Sequence, residues 1–260
     1  MNRLHFRYEM QLLLDQEVRD HHFLIRCIPM ESENQHTEQF EFKIEPADTI
    51  DQVCDGFGNR GYAGAIRQAH DYLMMTAEGI VRITGRESEE ELHPMYKFPS
   101  AFTVPDEAIR SFLSEVKEAF GGELTDRQGL EYLMNRLYGR FVYAPGVTNT
   151  KTTAAEGFAG GCGVCQDYAH IFISLCRLAG VPCRYVAGMM VGEGETHAWA
   201  EVWLDGRWYG MDPTNNRMVD HTYIKLTHGR DFADSTIDRG CFLGFAGQKH
   251  QIRVKVEEIS

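Results

Sequence analysis

The segment "GGCGVCQDYAH", Gly160 to His170, governs how the rest of the chain is read, because its Cys162-x-x-Cys165 pair suits three incompatible chemistries. It fits a redox dithiol, half of a zinc site, or one reactive thiol beside an incidental neighbour. Downstream, Val164, Tyr168, Ile171, Phe172, Leu175, Leu178 and Ala179 recur at helical spacing, Gly180 stands where a left-handed cap belongs, and Pro182 blocks continuation. The pattern predicts a helix with Cys165 in its first turn. Unpaired N–H groups and the partial positive charge at a helix start favour a thiolate there and can stabilise an oxyanion.

Context separates the three readings. A redox dithiol at a helix start should follow a buried parallel strand in a βαβ unit, whereas the preceding "TTAAEGFAGG" reads as a small-residue loop. Zinc needs about four ligands; Cys176 falls in mid-helix and Cys183 follows Pro182, positions that suit small buried hydrophobes. A nucleophile needs a base and a group that orients the base. Among the 11 histidines, His170 is rotated about 140° around the helix from Cys165 and points away.

His197 is the better base. It opens "HAWAEVWLDGRWYGMDPTN", two β-rich runs joined by Asp205-Gly206, a favoured two-residue hairpin turn. A tight turn pairs Leu204 with Arg207 and Trp199 with Asp212. Alternation then puts His197, Trp199, Trp208 and Asp212 on one face, with His197 and Asp212 as diagonal neighbours about 7–8 Å apart, within side-chain reach. Taken singly, a strand histidine is an ordinary surface or structural residue and an Asp before Pro an ordinary turn former. Together with a helix-start cysteine they supply the parts of a thiol acyl-transfer site. Trp199 either walls that site or packs beneath His197, and Asp167, in the first helical turn, reads as structural.

The 260-residue chain is 43% hydrophobic and 25% charged, with a formal charge of −12. That charge argues against nucleic acid or an anionic membrane as the main partner, since both call for clustered Lys and Arg. Seven cysteines, an odd number in a sizeable chain, fit reduced thiols. The run "MQLLL", Met10 to Leu14, is too short for a signal-peptide core, and no stretch resembles a membrane span. The location these features predict is cytoplasmic. No D-x-D-x-D-G loop points to calcium, and no cofactor or metal is called for.

Residues 1–86 read as a β-rich N-terminal domain. "LHFRYEMQLLL", "HHFLIRCIPM", "TEQFEFKIEP" and "YLMMTAEGIVRIT" are of strand length, and "DGFGNRG" is turn chemistry between apolar flanks. Residues 87–104, acidic and then Pro-containing, read as a linker. Residues 105–260 read as a third unit: "VPDEAIRSFLSEVKEAFGG" predicts a helix, a second follows with Thr125 or Asp126 as N-cap, and strand-like segments come after the helix that carries Cys165. Helices followed by strands define an α+β class.

The blocks "GVCQDYAHIFISLCRLAGVPCRYVAG", "HAW" and "WYGMDPTN", with "FVYAPGVT" upstream and "HGRDFADSTIDRGCFLGF" downstream, resemble the bacterial branch of the transglutaminase-like superfamily. The first 86 residues are similar to the β-rich region that accompanies these domains. The resemblance implies a papain-like core with helices packed on an antiparallel sheet. It also implies a Cys-His-Asp triad of Cys165 as nucleophile, His197 as general acid and base, and Asp212 as orienter. The implied chemistry is attack on a peptide or isopeptide amide through a thioester, completed by water or, alternatively, by an amine. A non-enzymatic scaffold and a redox couple are the other classes open. Two features depart from the family's pattern. All three tryptophans lie in the hairpin, so no upstream indole serves as the oxyanion donor seen in animal transglutaminases; the Cys165 N–H is one donor and Tyr143 a candidate second. Cys162 is either an inert thiol or half of a reversible disulfide with Cys165.

Overall fold

A computed structural model describes residues 2–85 and 90–259. Where the sequence predicts two strands, one 24-residue strand, β1 (Asn2–Ile25), runs through both. The polar segment between them bends the strand instead of ending it: the ladder slips between Leu13 and Val18, and Asp20 takes a left-handed φ of 49°. Leu4, Phe6, Tyr8 and Met10 alternate inward and are buried, while Arg7 points outward to Glu78 at 2.7 Å. Around β1 lie β2 (Gln35–Glu45), β3 (Thr49–Cys54), β4 (Arg60–Ile66) and β5 (His70–Ile83), all antiparallel, with "DGFGNRG" in the β3–β4 turn.

The helices α1 (Glu107–Phe120) and α2 (Arg127–Arg140) start at Asp106 and Asp126, whose carboxylates cap Ile109 and Gly129 N–H groups. Next come β6 (Val142–Tyr143) and α3 (Ala154–Gly160), the latter a correction, because "TTAAEGFAGG" is helical and not a loop. Its glycines lower helix propensity, but a Thr153/Glu156 capping box and the burial of Ala154, Gly157 and Phe158 override it. Then β7 (Cys162–Gly163) pairs parallel with β6 and leads into α4 (Cys165–Leu178).

After α4 the chain forms β8 (Cys183–Met190), β9 (Gly192–Gly194), β10 (His197–Leu204), β11 (Arg207–Asp212), β12 (Arg217–Met218) and β13 (Tyr223–Gly229). All but β9 make one antiparallel sheet in the order β12-β11-β10-β8-β13. Ala198, Ala200 and Val202 face the core, and α4 is buried from Asp167 to Arg177 between this sheet and the other helices. This is the expected α+β arrangement of helices on an antiparallel sheet, preceded by a β-rich region.

The last elements are α5 (Phe232–Ser235), β14 (Asp238–Leu243) and β15 (Gln248–Ile259). Pairing crosses the expected division of the chain: β14 and β15, which lie within residues 105–260, both pair with β1. The long β1 offers backbone groups along its whole length, and Val254 and Val256 bury against its sheet. The expected linker begins at residues 87–89, outside the described residues. From Glu90 onward it is docked. Glu90 meets Arg184 at 2.7 Å, Tyr96 packs edge-on against Trp208, and the buried Arg177 guanidinium donates to Tyr96 O and Thr103 Oγ1.

The open edge of β13 is closed by two side-chain amides of the N-terminal region. Gln35 accepts from Lys225 N and donates to Lys225 O, both at 2.8 Å. Asn59 does the same for His228, at 2.8 and 2.9 Å. Each carboxamide stands in for a peptide unit of a missing strand. An orphaned buried backbone group costs about 1–3 kcal/mol, so Asn59→Ala is expected to destabilise the protein by about 2–4 kcal/mol. Urea unfolding measures this, and a loss below 0.5 kcal/mol or so would show that the edge is resolvated at little cost.

Candidate active site

Nothing in the side chain of Val164, the N-cap of α4, can cap a helix. The carboxylate of Asp167 does the work from the third helical position, accepting Val164 N–H at 2.8 Å and the Thr148 hydroxyl at 2.7 Å. A Cβ on Gly163 would collide with that carboxylate, so glycine at this position is what lets Asp167 fold back. Burial, opposed by those two donors, holds the Asp167 carboxyl above its usual range. Asp167 is structural, as its place in the first turn suggests. It locks the turn that presents Cys165 at the first helical position.

Cys165 is half-buried and unbridged, as is Cys162, whose thiol turns toward Gly160 O at 3.6 Å. His170 points away from Cys165 into the core, where its Nε2 accepts Phe232 N–H at 3.1 Å. Burial and the neighbouring Arg177 push it down to about 3. Cys176 and Cys183 are both fully buried. Among the described residues, no three His, Cys, Asp or Glu side chains converge as a metal-holding group, and no helix is long and apolar enough to cross a membrane.

The hairpin has the register the sequence predicts, with Leu204 opposite Arg207 and Ala200 opposite Met211. Its turn uses Asp205 at φ 49° and Gly206 at φ 82°, both left-handed as a type I′ turn requires. His197 and Asp212 therefore meet at the sheet end nearest the α4 N-terminus, Nε2 to Oδ2 at 2.7 Å. With Nε2 so engaged, the other ring nitrogen is free of Asp212, and the Cys165 thiol is near enough to raise the proton affinity of the imidazole. Burial disfavours the imidazolium, yet the bonds and charges of Asp212 and Cys165 outweigh it and push His197 up to about 10. The ring of Trp199 stacks against His197 at 6.3 Å and is 1% exposed, so it packs beneath the imidazole.

Asp212 has no solvent exposure. Its Oδ1 accepts Thr214 N–H at 3.0 Å and Asn215 N–H at 3.2 Å. Its Oδ2 accepts from His197, from Asn215 Nδ2 and from the Tyr223 hydroxyl, each at 2.7 Å. Despite burial, these donors keep the carboxyl below its usual range. Sequence reasoning missed Asn215, Tyr223 and Thr148. The "DPTN" turn signalled the first, since Asp readily bonds backbone two residues on. Nothing marked Tyr223, because β13 reaches Asp212 only through the sheet order.

Tyr143, the candidate second donor, is exposed and pairs with Gly163, and partial desolvation, then the charge of Cys165, raises its hydroxyl. Val142, Tyr143 and Val147 are 64%, 54% and 57% exposed.

Comparisons with known proteins agree with this architecture. The family model described as "Transglutaminase-like superfamily" matches residues 114–213, and that of the "Bacterial transglutaminase-like N-terminal region" matches residues 4–82. An uncharacterized protein of Mycobacterium tuberculosis is 30% identical over 246 residues, covering 82% of this chain and 78% of its own. The kyphoscoliosis peptidase of Mus musculus is 39% identical over 74 residues, 24% of this chain and 11% of that protein. The crystal structure of a candidate cysteine protease from Cytophaga hutchinsonii superposes with a TM-score of 0.81 at 21% identity, covering 100% of this chain and 91% of that one, a likeness of fold. The chain belongs to the transglutaminase-like superfamily, with the bacterial N-terminal region joined to the core.

The raised His197 has a consequence for stability. A group that binds its proton more tightly when folded contributes stability in full below its ordinary value of 6.5, and loses it as pH rises toward about 10. In urea unfolding, the excess stability of the parent over His197→Gln is expected to shrink from pH 6.5 to pH 10. An excess that grows with pH would contradict the ion-paired arrangement.

Proposed function

We propose that the protein is a cysteine-dependent amide hydrolase, cleaving a peptide or isopeptide bond through a thioester acyl-enzyme. The observation that carries this reading is the continuous line of a helix-start thiol, an imidazole and a buried, saturated carboxylate. The imidazole is hydrogen-bonded to the carboxylate, and the thiol bears on the imidazole electrostatically.

The imidazolium beside Cys165 favours the thiolate, as does the end of α4. The thiolate attacks the amide carbon, the carbonyl electron pair moves to oxygen, and backbone N–H groups at the helix start receive the oxyanion. Collapse breaks the C–N bond as the amine takes the proton from His197, leaving a thioester and a neutral imidazole. His197 then removes a proton from water, which attacks the thioester. The second collapse expels the thiolate, releases the acid and restores the imidazolium. Asp212 keeps the ring oriented and balances its charge throughout. Transamidation shares the first half-reaction. The exposure of Val142 and Tyr143, which pair with Cys162 and Gly163 just before the thiol, favours water as the acceptor, since an amine competes only where water is excluded.

Acylation by a p-nitrophenyl ester, followed by intact-mass spectrometry at acidic pH, tests the reading. The parent protein is expected to accumulate a thioester adduct that Cys165→Ala cannot form. With a peptide library as substrate, Asp212→Asn is expected to lower turnover by about 10²–10⁴-fold. Undiminished turnover in Cys165→Ala would overturn the assignment, and dominant amide exchange with added amine would move it to transamidation.

A further inference from the structure

We propose that Tyr223 and Arg217 are positioning residues that weaken the hold of Asp212 on the imidazolium, so that His197 can release its proton to a leaving amine. This rests on the thiol-hydrolase reading above.

Tyr223 is 3% exposed and comes from β13, at the opposite edge of the sheet from β12. Its hydroxyl donates to Asp212 Oδ2 at 2.7 Å and accepts from Arg217 Nε at 2.9 Å. The Arg217 guanidinium lies over the Tyr223 ring at 4.9 Å and also donates to Thr222 Oγ1 at 2.9 Å. The result is a chain from a cation, through a phenol, to the same carboxylate oxygen that holds His197.

Asp212 already receives two backbone N–H groups and the Asn215 amide, so orientation alone does not require another donor. What the phenol and guanidinium add is electrostatic. A donor on a carboxylate stabilises the anion and lowers its basicity, and a nearby cation acts in the same sense. Both reduce the pull of Asp212 on the imidazolium proton. The need is evident from His197 itself, which stands at about 10. A higher value would leave it charged but a poor general acid.

The groups bearing on this balance come from every neighbouring element. They are Cys165 of α4, Asp212 of β11, Tyr223 of β13 and Arg217 of β12, with Asp220 3.8 Å from Arg217 and His221 acting on Asp220. Tyr143 and Glu195 face the thiol side.

The substitutions are Tyr223→Phe, which keeps the ring edge-on to Trp199 at 5.4 Å, and Arg217→Gln with Arg217→Lys as the conservative control. Removing the hydroxyl makes Asp212 more basic, so the His197 proton is held more tightly. Chloroacetate, an anion attracted by the imidazolium, alkylates Cys165 more slowly once His197 deprotonates. The alkaline midpoint of that reaction is expected to rise by about 0.5–1 pH unit in Tyr223→Phe and by less in Arg217→Gln, with Arg217→Lys close to the parent. Acylation by an anilide is expected to fall about tenfold, while a p-nitrophenyl ester of the same acid, whose leaving group needs no proton, changes less than about twofold.

A merely structural contribution would slow both acyl donors alike and leave the midpoint unmoved or lower, and either result overturns the proposal. Failure of Tyr223→Phe to fold leaves the decision with the Arg217 pair. The chloroacetate titration needs no substrate, so it decides the proposal even if the parent accepts neither acyl donor, a result that would sink the hydrolase reading instead.

Discussion

A carboxylate removed from water must be saturated with donors, and Asp212 meets that requirement with five hydrogen bonds from four residues. Much of the local architecture follows from it. The Asp205-Gly206 hairpin brings His197 alongside, the turn after Pro213 folds its backbone onto Oδ1, and the sheet order brings Tyr223 in from β13. A change in any of these leaves a buried charge under-coordinated, which costs more than an ordinary lost contact. The imidazole inherits its orientation and its high proton affinity from this arrangement.

The second constraint is at the start of α4. A helix buried on nearly every side has its N–H groups satisfied at a fixed place, and Asp167 with Thr148 defines that place. Cys165 stands one residue beyond the Val164 cap. Helix end and hairpin end are separate solutions to separate local problems, and packing of Ala198, Ala200 and Val202 against α4 brings them together.

The N-terminal region is tied into this frame through backbone. Gln35 and Asn59 complete the hydrogen bonding of β13, the strand that carries Tyr223, while β14 and β15 return to β1. On the face of the sheet away from α4, Arg184 joins Glu201 at 2.6 Å and Glu90 at 2.7 Å, fastening the expected linker to the sheet. The division that composition suggests is therefore one of sequence more than of packing.

What the sequence by itself determined was local or periodic. The register of a two-residue hairpin, the start of a helix and alternation along a strand are set by neighbours in the chain, so the helix start at Cys165 and the meeting of His197 with Asp212 were legible from spacing. The helix α3 was not, because its glycines argue locally against it and only burial beside α4 outweighs them. Nor were Tyr223, Arg217, Thr148 or the Asn59 bridge, since their partners lie on elements brought near only by sheet order. Strand order costs nothing to write into a sequence but leaves no periodic trace in it. Tertiary structure alone decided which donors saturate Asp212, because a buried charge selects its partners by position in space.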